Sequence, residues 1–196
     1  MRLILGYIRK YKITYISIIV IFILGIILGT IVLLNVSSNQ KNEIKNYIVG
    51  SVESSKEQGI DKLNVFKKSI VSNMKFIFIL YLLGCTIIAS LTIYVAIIYK
   101  GFILGYTGSA ILITYGIKEG SKYLLLVLIL HNIIYLPTVF LLATSGIRMY
   151  KEIMKKSSYL KIELLRHSIV TLLCVGVCIV SSGIESYFST IIFEIL

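Results

Sequence analysis

Apolar residues run along this chain in long blocks separated by polar links. The first block, residues 13–34, carries no charge. A hydrocarbon core is about 30 Å thick, and about 20 apolar residues in a helix cross it. The block therefore predicts a transmembrane helix. Residues 76–99 form a second block of that length. Lys100 separates it from a short, glycine-rich third block, 101–117. The third block either crosses after a tight turn at Lys100–Gly101 or enters and returns as a broken helix, and crossing fits the pattern better. Residues 123–146 and 168–190 make the fourth and fifth blocks. In the polar link 36–75, Ile44, Tyr47, Ile48 and Val52 repeat at helical spacing. They predict amphipathic helices on the membrane surface or against a partner, the alternative being a solvated linker. The basic link 148–166 carries Ile153, Leu160 and Leu164, which predict an interfacial helix. The fold class is all-α: a polytopic α-helical integral membrane protein, one membrane domain over 1–196, with about five transmembrane helices plus amphipathic interfacial helices.

Composition supports this reading. Hydrophobic residues are 57% and charged residues 15% of the 196 positions, against roughly 45–50% and about 25% in soluble domains. That excludes an ordinary soluble enzyme, a disordered tail and a secreted disulfide scaffold. The net charge of +11 suits cationic loops on a membrane protein. No aromatic-basic module points to nucleic acid. With a cytoplasmic N-terminus and five crossings, eleven Lys and Arg fall on the inner side and nine on the outer. This places the 36–75 loop and the C-terminus outside. The first block is longer than a signal peptide's apolar region and lacks a small-residue cleavage site, so it reads as uncleaved. Gly25 and Gly29 stand at GxxxG spacing, which serves packing within the chain or a homo-oligomer equally well.

Chemistry-bearing residues are few. No phosphate-binding loop, nucleophile elbow, HExxH or CxxC is present. Cys85, Cys174 and Cys178 lie in apolar runs and read as packing residues rather than metal ligands. His167 reads as a polar anchor at a membrane boundary. His131 and Asn132 lie inside the fourth block, where interhelical hydrogen bonding explains them better than proton relay. Pro137 removes a helical hydrogen bond nearby and predicts a kink. Glu119 is placed to meet the positive end of a helix. Glu185 either reaches the outer interface or pairs with a buried cation. The expectation is no enzyme, no cofactor and no metal. A small transporter using Glu119, His131 and Glu185 is the alternative to a scaffold.

Four stretches together resemble the stage II sporulation protein M family. Ser72-Asn73-Met74-Lys75 opens the second block. Lys100-Gly101-Phe102-Ile103-Leu104-Gly105-Tyr106 is similar to the family's glycine-phenylalanine turn. Gly116-Ile117-Lys118-Glu119-Gly120 followed by Leu130-His131-Asn132-Ile133-Ile134-Tyr135-Leu136-Pro137 resembles its most characteristic block. Ser182-Gly183-Ile184-Glu185-Ser186-Tyr187-Phe188-Ser189-Thr190 resembles its C-terminal Ile-Glu-aromatic ending. Leu130 and Ile191 stand where the family often has proline. The resemblance implies a multi-pass protein of the mother-cell membrane at the sporulation septum. It also implies a role in engulfment, anchoring the peptidoglycan hydrolases stage II sporulation proteins D and P. Asn73, Gly101, Gly105, Glu119, Asn132, Pro137 and Glu185 are carried over as structural or partner-contact residues.

Overall fold

The computed structural model describes residues 11–57, 62–125, 130–156 and 158–195; the basic positions Arg2, Arg9 and Lys10 lie outside them. The elements are α1 (Lys12–Asn35), α2 (Ser38–Glu57), α3 (Lys62–Gly84), α4 (Ala89–Tyr123), α5 (Leu130–Met154) and α6 (Leu160–Ile195). Four of them, α1, α4, α5 and α6, are long and apolar enough to cross a membrane.

The boundaries follow local chemistry. α1 ends where Val36 turns extended. Ser37 then caps α2: it accepts from the Gln40 amide at 3.5 Å and bonds the Gln40 side chain at 3.0 Å. There is no break at Lys100–Gly101, and the break after α3 falls at Cys85–Ile88. There the Cys85 and Thr86 amides donate to Leu82 and Leu83 in a tightened last turn, and the Thr86 hydroxyl adds a bond to Leu83 O at 2.7 Å. The apolar run 76–99 is thus divided between α3 and α4. Lys100 and Gly101 sit inside α4, because Gly101 serves a helix contact rather than a turn. The polar link 36–75 also ends inside α3, which continues from Lys62 to Gly84.

Gly116 breaks α4 with φ 75° and ψ 175°, a region open essentially to glycine alone. The chain folds back there. Gly120 comes against the Ile111–Leu112 backbone, and the Tyr115 and Tyr123 rings stack at 5.9 Å. The 148–166 link holds no separate interfacial helix. Its residues end α5 and begin α6, joined by a short turn in which Lys156 has φ 49°.

Contacts fix the relative directions. α1 and α4 are parallel: Ser17 meets Tyr94 at 3.0 Å and Thr30 meets Ser109 at 3.1 Å. Between them, Gly25 packs on the Ile98 carbonyl, Gly29 on Phe102, Gly101 on Phe22 and Gly105 on Ile26. The GxxxG spacing of α1 is therefore answered within the chain. α3 and α6 are antiparallel, since Ser69 meets Ser182 and Tyr81 meets Ser168. α5 runs with α3, as His131 meets Asn73 near one end and Gly146 meets Gly84 near the other. So α1, α4 and α6 point one way, and α3 and α5 point the other. The core between them holds Phe22, Ile77, Ile93, Ile97, Val139 and Cys178. Ile16, Val20, Ile23, Ile27 and Ile31 of α1 stay about half exposed, as a lipid-facing surface requires.

Candidate functional site: a polar seam between four helices

Asn73 of α3, Lys100 of α4, His131 of α5 and Glu185 of α6 converge. An uncompensated polar group in an apolar setting is costly, and each of these four is answered by another. The Lys100 ammonium donates to Asn73 Oδ1 at 3.5 Å. It also lies over the Phe76 ring at 5.3 Å and the Tyr135 ring at 5.2 Å, where ring quadrupoles attract a cation. Asn73 Nδ2 donates to Ser69 Oγ and to His131 Nε2, both at 3.3 Å. The Asn73 carbonyl accepts from the Tyr135 hydroxyl at 3.2 Å. Imidazole Nδ1 faces Ser181 Oγ at 2.6 Å, Ser181 O at 3.1 Å and Glu185 Oε2 at 3.4 Å. Ser69 Oγ donates to the Glu185 carboxylate and lies 3.0 Å from Ser182 Oγ. Asn73, His131, Ser181 and Ser182 are buried, while the Glu185 side chain is 26% exposed. The seam thus runs from a half-buried ammonium to a carboxylate at its open end.

The Asn73 amide nitrogen stands on the Nε2 side of the imidazole, and Ser181 and Glu185 stand on the Nδ1 side. Ser181 and Glu185 both approach Nδ1. A nucleophilic triad needs the serine and the acid on opposite ring nitrogens. This arrangement binds helices together and holds charges, and it does not activate Ser181.

The expected site residues divide among several places. Asn73, His131 and Glu185 belong to the seam. Glu119 does not: it lies past the Gly116 break, its side chain 45% exposed, paired with Lys122 at 3.2 Å. Gly101 and Gly105 lie in the α1–α4 contact. Asn132 and Pro137 line a separate apolar groove of about 430 Å³ with Phe22, Ile26, Leu104 and Phe140. Sequence reasoning placed Lys100 at a turn, named Ser182 only within the C-terminal motif, and passed over Ser69 and Ser181. His167 is no boundary anchor. It is fully buried, bonded to Ser145 Oγ at 3.0 Å and Tyr81 O at 3.3 Å beside the Gly84–Gly146 contact. Cys174 donates to Thr138 O at 3.2 Å within the core. A further polar contact joins α5 to α6, where Glu163 accepts from Arg148 of α5 and from Arg166 on its own helix.

Four membrane-length helices, three of which share a polar seam with α3, define a multi-pass α-helical membrane protein. The sequence matches the family of Stage II sporulation protein M over residues 18–190, nearly all of the helical bundle. The chain belongs to this family of sporulation-related membrane proteins. Comparison with curated proteins and with solved structures returned no match.

Proposed function

We propose that this chain is a non-enzymatic scaffold of the septal engulfment machinery in endospore formation. In this reading it anchors and localises the peptidoglycan hydrolases, sporulation proteins D and P, in the mother-cell membrane at the septum. Its N-terminus is cytoplasmic and its C-terminus extracytoplasmic. The observation that carries the reading is the family match over residues 18–190. The seam is consistent with it, because its polar groups are spent on one another across four helices. Deletion in a sporulating host tests the reading: fluorescent fusions of both hydrolases should lose their septal focus and engulfment should stall. Normal targeting of both would refute it.

One observation favours a second reading, a small transporter. Lys100, His131 and Glu185 meet in a seam whose carboxylate end is partly open, and intramembrane ionisable groups mark transport paths in many proteins. Glu119 has no place in such a path. Purified protein in liposomes should then carry an ion or solute, and His131→Ala should change that flux. No flux across a broad solute panel leaves the scaffold alone.

A further inference from the structure

Because α1 and α4 run parallel, the chain between them returns across the membrane, and α3 is the element that returns. It is the one crossing helix without the required apolar length. Only Phe76–Leu83 is uninterruptedly apolar, about 12 Å of helix against a core of about 30 Å. Ser69 and Asn73 turn inward to the seam. The opposite side of α3 presents Lys67, Lys68, Ser72 and Lys75, all exposed. These positions recur at helical spacing and form one stripe, continued by Phe78 and Ile79, which are 59% and 49% exposed.

The depth of this stripe follows from contacts. Asn73 meets Lys100, and the carbonyls of Ile98 and Phe102, flanking Lys100, pack on Gly25 and Gly29 in the middle of α1. From Gly25 to the end of α1 at Asn35 is about 15 Å at 1.5 Å per residue. Lys67 and Lys68 lie nearer that end, where lysines snorkel to the interface. Lys75 lies about two turns deeper. A bare ammonium at that level faces hydrocarbon, which such groups avoid. In this chain the Lys75 side of α3 is uncovered.

We infer that the Lys67–Lys68–Ser72–Lys75 stripe is a docking face for a carboxylate-bearing transmembrane helix of a different membrane protein. Charge complementarity selects the partner. A second copy meeting α3 by two-fold symmetry sets lysine against lysine. Glu185, the seam's carboxylate, is turned to Ser69 and His131. A stripe one helix wide fits one partner helix.

The test uses the full chain in native membranes, with a photo-crosslinking amino acid at Ser72 or at Phe78, and at Ile27 of α1 as control. Ser72 and Phe78 should capture a membrane protein with Asp or Glu in a transmembrane segment, and Ile27 should not. Capture should fall about tenfold or more in K68E/K75E and return when the partner's carboxylate is changed to Lys. Lys75→Met removes the charge with little change of shape, and should weaken capture even if the double variant fails to accumulate. Crosslinks only to phospholipid, only to a second copy, or capture indifferent to Lys75→Met would overturn the inference. The inference is independent of the hydrolase assignment. An acidic partner that is neither hydrolase supports the docking face while counting against that assignment.

Discussion

Asn73 ties α3 directly to α4 and α5, and its partners Ser69 and His131 carry the seam on to α6. Its amide nitrogen reaches Ser69 and His131, its side-chain oxygen reaches Lys100, and its main-chain oxygen takes the Tyr135 hydroxyl. Asn73→Ala leaves an imidazole nitrogen and an ammonium short of a partner. Stranding buried polar groups costs about 1–3 kcal/mol, so the unfolding midpoint in detergent should drop. Asn73→Gln should recover part of the loss. An unchanged midpoint for Asn73→Ala would show that the seam does not hold the bundle. His131 and Glu185 were legible in the sequence because each interrupts an apolar run, and Asn73 was singled out only through the family resemblance. Lys100 was not, since a lysine followed by glycine between two apolar runs is also what a turn looks like. Ser69 and Ser181 carried no signal, because serine is common in membrane helices and its role depends on what the next helix presents. Backbone geometry gives a second prediction at this scale. Gly116→Ala forces a side chain into the positive-φ region at a cost of about 1–3 kcal/mol. It should loosen the Tyr115–Tyr123 stack, read as increased proteolysis near Lys118 and Lys122.

At the scale of elements, α1 and α4 are held by glycine. A Cβ on Gly101 or Gly105 would run into the carbonyls of Phe22 or Ile26, which are backbone and cannot rotate away. Gly101→Leu and Gly105→Leu should therefore separate α1 from α4 and lower the yield of folded protein. Gly183→Leu, at a position with open space around it, should be tolerated. The parallel register gives an independent check. Thr30→Cys with Ser109→Cys, in a background without native cysteines, should form a disulfide within the monomer under oxidation. A dimer band instead would mean that these glycines join two chains. The spacing of Gly25 and Gly29 was visible in the sequence, but their partner was not, because Gly101 lies far along the chain and resembled a turn glycine. Helix ends suffered for a related reason. Hydropathy marks where the solvent changes, whereas α3 stops at Gly84 and α5 runs on to Met154 through local hydrogen bonds and packing that hydropathy does not register.

For the whole molecule, five helices of alternating direction put the ends of the elements on two sides. The α1–α2 junction, the Gly116 fold-back and the open end of the seam share one side. The Cys85–Ile88 turn and the α5–α6 turn share the other, since Gly84 touches both Gly146 and His167. The apolar blocks in the sequence led to an expectation of five crossings; four helices are long and apolar enough to cross, and the blocks 76–99 and 101–117 do not coincide with α3 and α4. Four apolar helices alone would return the chain to its starting side, whereas α3 as a fifth crossing leaves its ends on opposite sides. Single cysteines separate these two topologies. In a background lacking native cysteines, Asn42→Cys and Ser121→Cys should react with a membrane-impermeant maleimide added to intact cells. Ser158→Cys should react only after the cells are opened. Restoring Cys85 alone, half-buried in its turn, should give slow labelling with the pattern of Ser158→Cys. If Asn42→Cys and Ser158→Cys were labelled from the same side, α3 would not cross. Lys75 would then never meet the bilayer interior, and its uncovered ammonium would need no partner.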